Sequence, residues 1–591
     1  MQALILKFPF RPMSLALGLV AMLVFIYDIG YEDAGDFGRE IPLFYFLLLN
    51  IFIFFSVARL LTSSEQISSR RGQTVMVVFF TLILLYILGI TLLKEISLWS
   101  VVLQNIILFR ISMLLFFVIE YSIVVERFYS LKMQPAFIFT VSFFILISIG
   151  SMLLMLPLAN VKGISFIDAL FTATSAVCVT GLTVLDTGKD FTFVGQVIIL
   201  SLIQAGGLGM LTLTSFFAYF FKENLSYRES LFVRDFISTS RIGNIFQLLV
   251  NIVALTAAIE LLGALFIFLY LPEEAFPTMG ERVFFCVFHS ISAFCNAGFS
   301  TLSAGLYDPI VRHSYTVQLV VCFLIILGGL GYNILFNLAE YVMEKARRAR
   351  KRLFLKESEY RRQVRIVKLN SKIVVYTTLI LLVFGTIFFF FSERTNILAE
   401  HGTWWGKLVT AFFASVTPRT AGFNTFDVGS LQVSTIMIML LLMWIGASPG
   451  STGGGIKTST FAIATLLIFS TARGKTRLEI AKRTVSYYSV RRAFSIINLS
   501  LISIGLGVFF ISSFEAQGKP EFLRIAFECF SAYSTVGLSM NLTPSLGEES
   551  RMVLVCLMFI GRVGAINLLI GILTQIDSQH LRYPEEDILI N

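Results

Sequence analysis

The 591-residue chain is 56% hydrophobic and only 14% charged, with a net charge of +9 and a mean hydropathy of +0.82. Soluble domains carry about 25% charge, so this composition excludes an ordinary soluble enzyme or binding module and indicates a polytopic helical membrane protein, with about a dozen apolar runs near the ~20 residues that cross a bilayer. The basic residues cluster between those runs, at 345–352, 356–372 and 473–492; the positive-inside rule accounts for them, and no nucleic-acid partner is expected.

Residues 1–133 are expected to form an N-terminal extension of about four spans, near 13–27, 41–61, 75–93 and 98–125. The link after the first is acidic (Asp28, Glu32, Asp33, Asp36, Glu40) and the next carries Arg70 and Arg71, which puts the N-terminus in the cytoplasm. The extension reads either as a packing jacket or as a sensor, but no span carries a regular array of arginines.

From residue 134 a new order begins: span, short segment, glycine loop, span. It recurs four times, in units expected at 134–243, 244–371, 372–494 and 495–591. The short segments (166–178, 281–294, 407–416, 521–533) cannot cross a bilayer and read as re-entrant half-helices. Each leads into a small-residue run: Val179-Thr180-Gly181-Leu182, Asn296-Ala297-Gly298-Phe299, Thr420-Ala421-Gly422-Phe423 and Thr535-Val536-Gly537-Leu538. The four glycines are 117, 124 and 115 residues apart, the signature of an internal repeat. Non-helical backbone at membrane depth is tolerated only inside protein or against water. The expected fold is therefore all-α, with four span–pore-helix–span repeats in pseudo-four-fold arrangement around a central pore. Acidic or neutral links (Glu273, Glu274, Asp308, Glu393, Glu400, Asp427) fall on the side opposite the basic loops.

A dehydrated cation needs several oxygen ligands, and a ring of backbone carbonyls supplies them where glycine keeps the tightest point clear. The half-helix ends direct their partly negative C-termini at the same cavity. No acidic side chains ring these positions, which favours carbonyl coordination over a divalent-cation site.

Downstream of each glycine lies a second glycine pattern: QAGGLGM (204–210), LGGLGYN (327–333), IGASPGSTGGGIK (445–457) and IGRVGAIN (560–567). Three of these are expected to kink a helix or permit close approach. In the third, Gly446, Pro449, Gly450, Gly453, Gly454 and Gly455 cannot all occupy a helix interior; a broken helix with a loop in the pore is expected, closed by Lys457. Arg562 is an intramembrane charge and hence a functional candidate. It could repel cations, bind loop carbonyls to hold a constriction shut, or make a structural salt bridge. Arg419 is expected to tie the glycine run beside it to Asp427 or Glu400.

The six cysteines have no CxxC spacing and read as small buried hydrophobes; the four histidines make no metal motif. HExxH, GxSxG with partners and paired membrane aspartates are all missing, so no enzyme activity is expected.

The four glycine loops, the stretch GASPGSTGGGIKTSTF (446–461) and the run GRVG (561–564) resemble the Trk/Ktr/HKT superfamily of potassium transporters, especially bacterial TrkH/KtrB membrane subunits, over roughly 134–576. The resemblance implies channel-like conduction of K⁺, with some Na⁺, as cargo and no covalent cofactor. It implies a homodimer in the bacterial inner membrane and a cytosolic nucleotide-binding RCK partner of TrkA/KtrA type. It also implies a gate built from Gly446–Gly455 and Arg562, and a preference for K⁺ from glycine, rather than serine, at Gly181. The four-span extension departs from those subunits. The alternative reading is a Na⁺- or H⁺-coupled secondary transporter of a small solute, to which broken helices are also suited.

Overall fold

A computed structural model describes residues 10–30, 135–209, 245–272, 276–355, 367–475, 477–481, 483–515 and 521–572, with scattered positions between 41 and 112. Helix α1 (Phe10–Gly30) forms the first expected span. Its end carries Asp28, which accepts from Arg110 Nε at 2.7 Å and from the Tyr45 hydroxyl at 2.9 Å, above a cluster containing Ala21, Leu48, Phe52 and Phe109. The second expected span is described as a helix over 44–54, while the third and fourth, and the basic segments 62–74 and 356–366, lie wholly or largely outside the described residues.

Four units follow. The first is α2 (Pro135–Leu154), half-helix α3 (Phe166–Val177) and α4 (Phe193–Leu208). The second is α5 (Ile245–Tyr270), half-helix α6 (Met279–Cys295) and α7 (Tyr315–Leu330), continued by α8 (Tyr332–Leu355). The third is α9 (Leu369–Ser392), half-helix α10 (Trp404–Val416) and α11 (Val433–Trp444), continued by α12 (Thr458–Ala472). The fourth is α13 (Tyr487–Phe514), half-helix α14 (Phe522–Ser534) and α15 (Glu548–Val563), continued by α16 (Ala565–Ile572). Among the described residues, the helices at 249–270, 369–392 and 487–514 are individually long and apolar enough to cross a membrane.

Local sequence explains where the half-helices begin. Ser165 accepts from the amide of Asp168, Thr278 from Glu281 and Thr403 from Gly406. Each hydroxyl satisfies a first-turn N–H that has no helical partner, a contribution of about 1 kcal/mol. α3 has 12 residues and is about 18 Å long, well short of the ~30 Å hydrocarbon core.

In the first, second and fourth units the half-helix packs between its two long neighbours, and in the third it packs chiefly on the preceding one, α9. Between units the packing is cyclic: α4 lies on α6, α7 on α10, α11 on α14 and α15 on α3. The outer rim repeats the cycle in polar contacts. Arg551 Nη1 meets Asp168 Oδ1 at 2.6 Å, Arg312 pairs with Glu400, and Asn541 donates to Asp427 at 3.4 Å.

Four expectations are corrected. The second helix breaks in every unit and not only in the third, because a left-handed glycine cannot continue an α-helix: α4 stops at Gly209 (φ 80°), α7 turns through 104° at Gly331 (φ 82°) and α15 stops at Gly564 (φ 86°). The basic run 345–352 lies on α8 and not in a loop, while 487–492 opens α13. A two-residue antiparallel hairpin, β1 (Glu479–Ile480) and β2 (Arg483–Thr484), interrupts the otherwise helical chain. Finally, Cys556 is exposed, whereas the other five cysteines are buried.

Candidate functional site: two glycine layers on one axis

Each half-helix runs into its glycine loop through the same backbone device. Val179, Asn296, Thr420 and Thr535 have positive φ (57°, 60°, 69° and 51°), and so do Gly181, Gly298, Gly422 and Gly537 (92°, 71°, 76° and 92°). The residue between each pair does not. Alternating handedness turns successive N–H groups to one side and carbonyls to the other.

The N–H groups turn back onto the half-helix. Thr180 and Gly181 donate to Ser175 O (2.8 Å) and Ser175 Oγ (3.0 Å). Val536 and Gly537 donate to Ser531 O (2.9 Å) and Ser531 Oγ (3.0 Å). Ala297 donates to Ser292 O, while Ala421 and Gly422 donate to Thr417 O. Among the described residues, nothing donates to the carbonyls of Thr180, Gly181, Ala297, Gly298, Ala421, Gly422, Val536 or Gly537. Carbonyls without donors have the chemistry to act as oxygen ligands.

The glycines form a closed ring. A Cβ on Gly181 would strike Ala297 O and lie 3.1 Å from Gly298 Cα. One on Gly298 would meet Ala421 O and Gly422 Cα (3.1 Å), and one on Gly422 would meet Val536 O and Gly537 Cα (3.1 Å). One on Gly537 returns to Thr180 O and Gly181 Cα (2.9 Å). The positive φ and the missing side chain are thus both required. Asn296 and Thr420 add a lateral contact, amide to hydroxyl at 3.2 Å.

The fourth residue of each run has another place. The side chains of Leu182, Phe299, Phe423 and Leu538 are buried in the clusters behind the ring. The carbonyls of Phe299 and Phe423 already accept from the Ser292 and Thr417 hydroxyls. The four hydroxyl residues Ser175, Ser292, Thr417 and Ser531 were missed in the sequence. The signal was there: Ser-Ala precedes the glycine at the same interval in three units, and in the third Thr417 stands one residue nearer its glycine.

The second layer lies beneath. Gly206 abuts Val177 O, Gly328 abuts Phe294 O and Gly561 abuts Tyr533 O, each so closely that a Cβ would collide. The break glycines 209, 331 and 564 each follow these by one turn, and Pro449 holds the matching place after Gly446. At the intervening position stand Gly207, Gly329, Ala447 and Arg562; only the fourth unit is charged there.

The stretch between α11 and α12 folds across the axis. It closes on itself through the Ile445–Ile456 bridge and through Lys457 Nζ, 2.6 Å from Gly453 O. Its tip presses upward on the ring: Gly454 N donates to Thr535 Oγ1 (3.0 Å), a Cβ on Gly453 would strike Thr420 Oγ1, and one on Gly455 would lie 3.2 Å from Ser534 Cα. Its flank is tied to the second unit, with Ser448 N on Gly329 O (3.0 Å) and Tyr332 N on Gly450 O (3.2 Å). Arg562 spans the remaining sides, donating to Thr452 O and to Gly206 O. A cavity of about 480 Å³ lies against the loop, lined by Gly209, Tyr332, Pro449, Gly453, Lys457 and Arg562 among others.

Arg419 is corrected. It is 8% exposed and points inward, with Nη2 3.4 Å from Thr378 Oγ1. Glu400 belongs to Arg312, and Asp427 caps Gly429 N and meets Asn541. No cluster of three or more metal-ligating side chains occurs among the described residues.

Residues 102–581 match the family described as TrkH, a cation transport protein. The Ktr system potassium uptake protein B of Bacillus subtilis is 36% identical over 462 residues, covering 77% of this chain and 97% of that protein. The potassium/sodium uptake protein NtpJ of Enterococcus hirae is 34% identical, covering 78% and 98%. The crystal structure of the potassium transporter TrkH from Vibrio parahaemolyticus has the same fold, with a TM-score of 0.56 and 15% identity over 86% of this chain and 99% of that one. The match over most of the chain, carried by helices that end in paired glycine loops, makes this protein a member of the TrkH family of membrane cation transport proteins.

Proposed function

We propose that the chain is the translocating subunit of a potassium-uptake system. The ring of Gly181, Gly298, Gly422 and Gly537 serves as its selectivity filter, in a pore formed by the four units at 134–243, 244–371, 372–494 and 495–591. The observation that carries this reading is the cycle of contacts from one glycine to the next, which surrounds one axis with donor-free carbonyls. Such a ring replaces the hydration shell of a monovalent cation. Relatives named for potassium uptake and for potassium/sodium uptake support the choice of ion.

The loop Gly446–Gly455, braced by Lys457 and Arg562, is the gate. Its backbone occupies the axis directly under Thr420 and Thr535, so a cation passes only when the Arg562 contacts to Thr452 O and Gly206 O are released. The basic run 345–352 docks a cytosolic RCK-type regulator, and the subunit works as a homodimer in the plasma membrane with its N-terminus in the cytoplasm. Helix α1 packs on the turn Pro157–Ala159 of the first unit.

The test is rubidium and sodium uptake into liposomes holding the purified chain, together with K⁺-dependent growth of an uptake-deficient bacterial host. Wild type takes up Rb⁺ in preference to Na⁺, and Gly181→Ser or Gly422→Ser lowers that preference. Unchanged preference in both variants removes the filter assignment.

A further inference from the structure

The ring is built from four similar loops, each with a hydroxyl behind it, yet among the described residues only two have a second polar side chain, nine places before the glycine, that holds the segment beyond it. In the fourth unit Glu528, fully buried on α14, receives three donors from the segment just beyond Gly537. These are Ser539 Oγ at 2.6 Å, Met540 N at 3.0 Å and Thr543 Oγ1 at 2.7 Å. In the second unit His289 stands at the same interval before its glycine as Glu528 does. His289 Nδ1 lies 2.9 Å from Phe285 O, a group that can only accept, so Nδ1 carries the proton and Nε2 is the acceptor. Nε2 takes the hydroxyl of Ser300 at 2.8 Å, and Ser300 in turn receives Leu302 N at 3.0 Å. Ser300 and Ser539 both stand two places after their glycines.

The first and third units lack this brace. Thr172 and Phe413 stand nine places before their glycines. The Thr172 hydroxyl is spent on Asp168 O at 2.9 Å. Asn424, two places after Gly422, donates sideways to Ala304 O of the second unit at 3.3 Å. In the cycle of contacts the second and fourth units are opposite each other. A pseudo-four-fold ring therefore carries a two-fold pattern of support.

We propose that Glu528 and His289 are positioning residues that set cation discrimination. By fixing the serines beyond Gly537 and Gly298 they hold two opposed walls of the ring at one spacing, while the first and third walls adapt to the ion. This rests on the filter reading above. A ring discriminates between cations of different radius only to the extent that its oxygens resist following the smaller one. Glu528 has the larger effect, since its contacts are three and charge-assisted, against a single neutral one at His289.

The full chain in liposomes provides the test, with Rb⁺ and Na⁺ uptake measured separately and amide exchange followed over residues 538–543. Glu528→Gln and Ser539→Ala lower the Rb⁺/Na⁺ ratio about tenfold, the loss expected when a charge-assisted hydrogen bond is removed. Ser300→Ala lowers it about threefold, as for a neutral bond. Ser539→Thr and Ser300→Thr keep the hydroxyl and restore the ratio. Ser539→Ala removes only a hydroxyl, so it answers the question even where the buried glutamate variant does not fold. Ratios within about twofold of wild type in Ser539→Ala and Ser300→Ala, in protein that elutes as wild type, overturn the proposal. Should wild type show no preference for Rb⁺, the filter reading fails instead. Exchange at Met540 then decides the brace: faster in Glu528→Gln sustains it, and unchanged refutes it.

Discussion

The two glycine layers recur at similar spacing, 117, 124 and 115 residues above against 122, 118 and 115 below, and do opposite things with it. In the upper ring all four units contribute the same element: a left-handed residue, a second left-handed glycine and a hydroxyl behind them. In the lower layer the second helix of each unit stops at this level, yet among the described residues only the third inserts a long loop and only the fourth adds a charge. A site that surrounds an ion needs equivalent walls, because one odd wall spoils the coordination distance. A plug needs only one loop, and symmetric copies would collide on the axis. On the proposed reading, repetition marks where the ion is held and departure from repetition marks where passage is controlled.

That contrast can be broken experimentally, first at the upper ring. A Cβ at Gly537 strikes Thr180 O, lies 2.9 Å from Gly181 Cα and forces a side chain onto φ +92°. Gly537→Ala should cut cation flux about a hundredfold, given ~3 kcal/mol of strain and overpacking. Gly402→Ala, where nothing lies within 4 Å, should match wild type. Equal fluxes in the two variants would show that the ring does not need its glycines.

Arg562 tests the lower layer. Its two carbonyl contacts tie the plug to the first unit. Arg562→Gln should raise unstimulated flux about tenfold, the effect of losing one net charged hydrogen bond. A fall in flux would mean that the arginine supports the pore and does not restrain it. The smallest effect is expected at the rim, where Arg551 and Asp168 are each 17% exposed. Arg551→Ala should lower the Tm by about 2 °C at low ionic strength, and the difference should vanish in high salt.

Much of this was legible in the chain. Apolar length, four-fold recurrence and half-helices too short to cross a bilayer led to the order of elements. The ring glycines were legible because a Cβ-free residue recurs at one interval. The hydroxyls of Ser175, Ser292, Thr417 and Ser531 were overlooked because serine is common in membrane helices, and one residue fewer in the third unit shifts its register. Arg419 was misassigned for a related reason. Charge complementarity suggested Asp427 or Glu400, but the half-helix end aims it at Thr378, on the opposite side of the loop.

By itself the sequence determined the class of the protein, its repeat and the identity of both glycine layers, because these depend on composition and local backbone freedom. Which carbonyls lack donors, that the fourth glycine closes on the first, that every second helix breaks, and which peptide oxygens Arg562 holds were decided only in the tertiary structure. Those facts join residues from different units across a shared axis, and no local preference of the chain sets that distance.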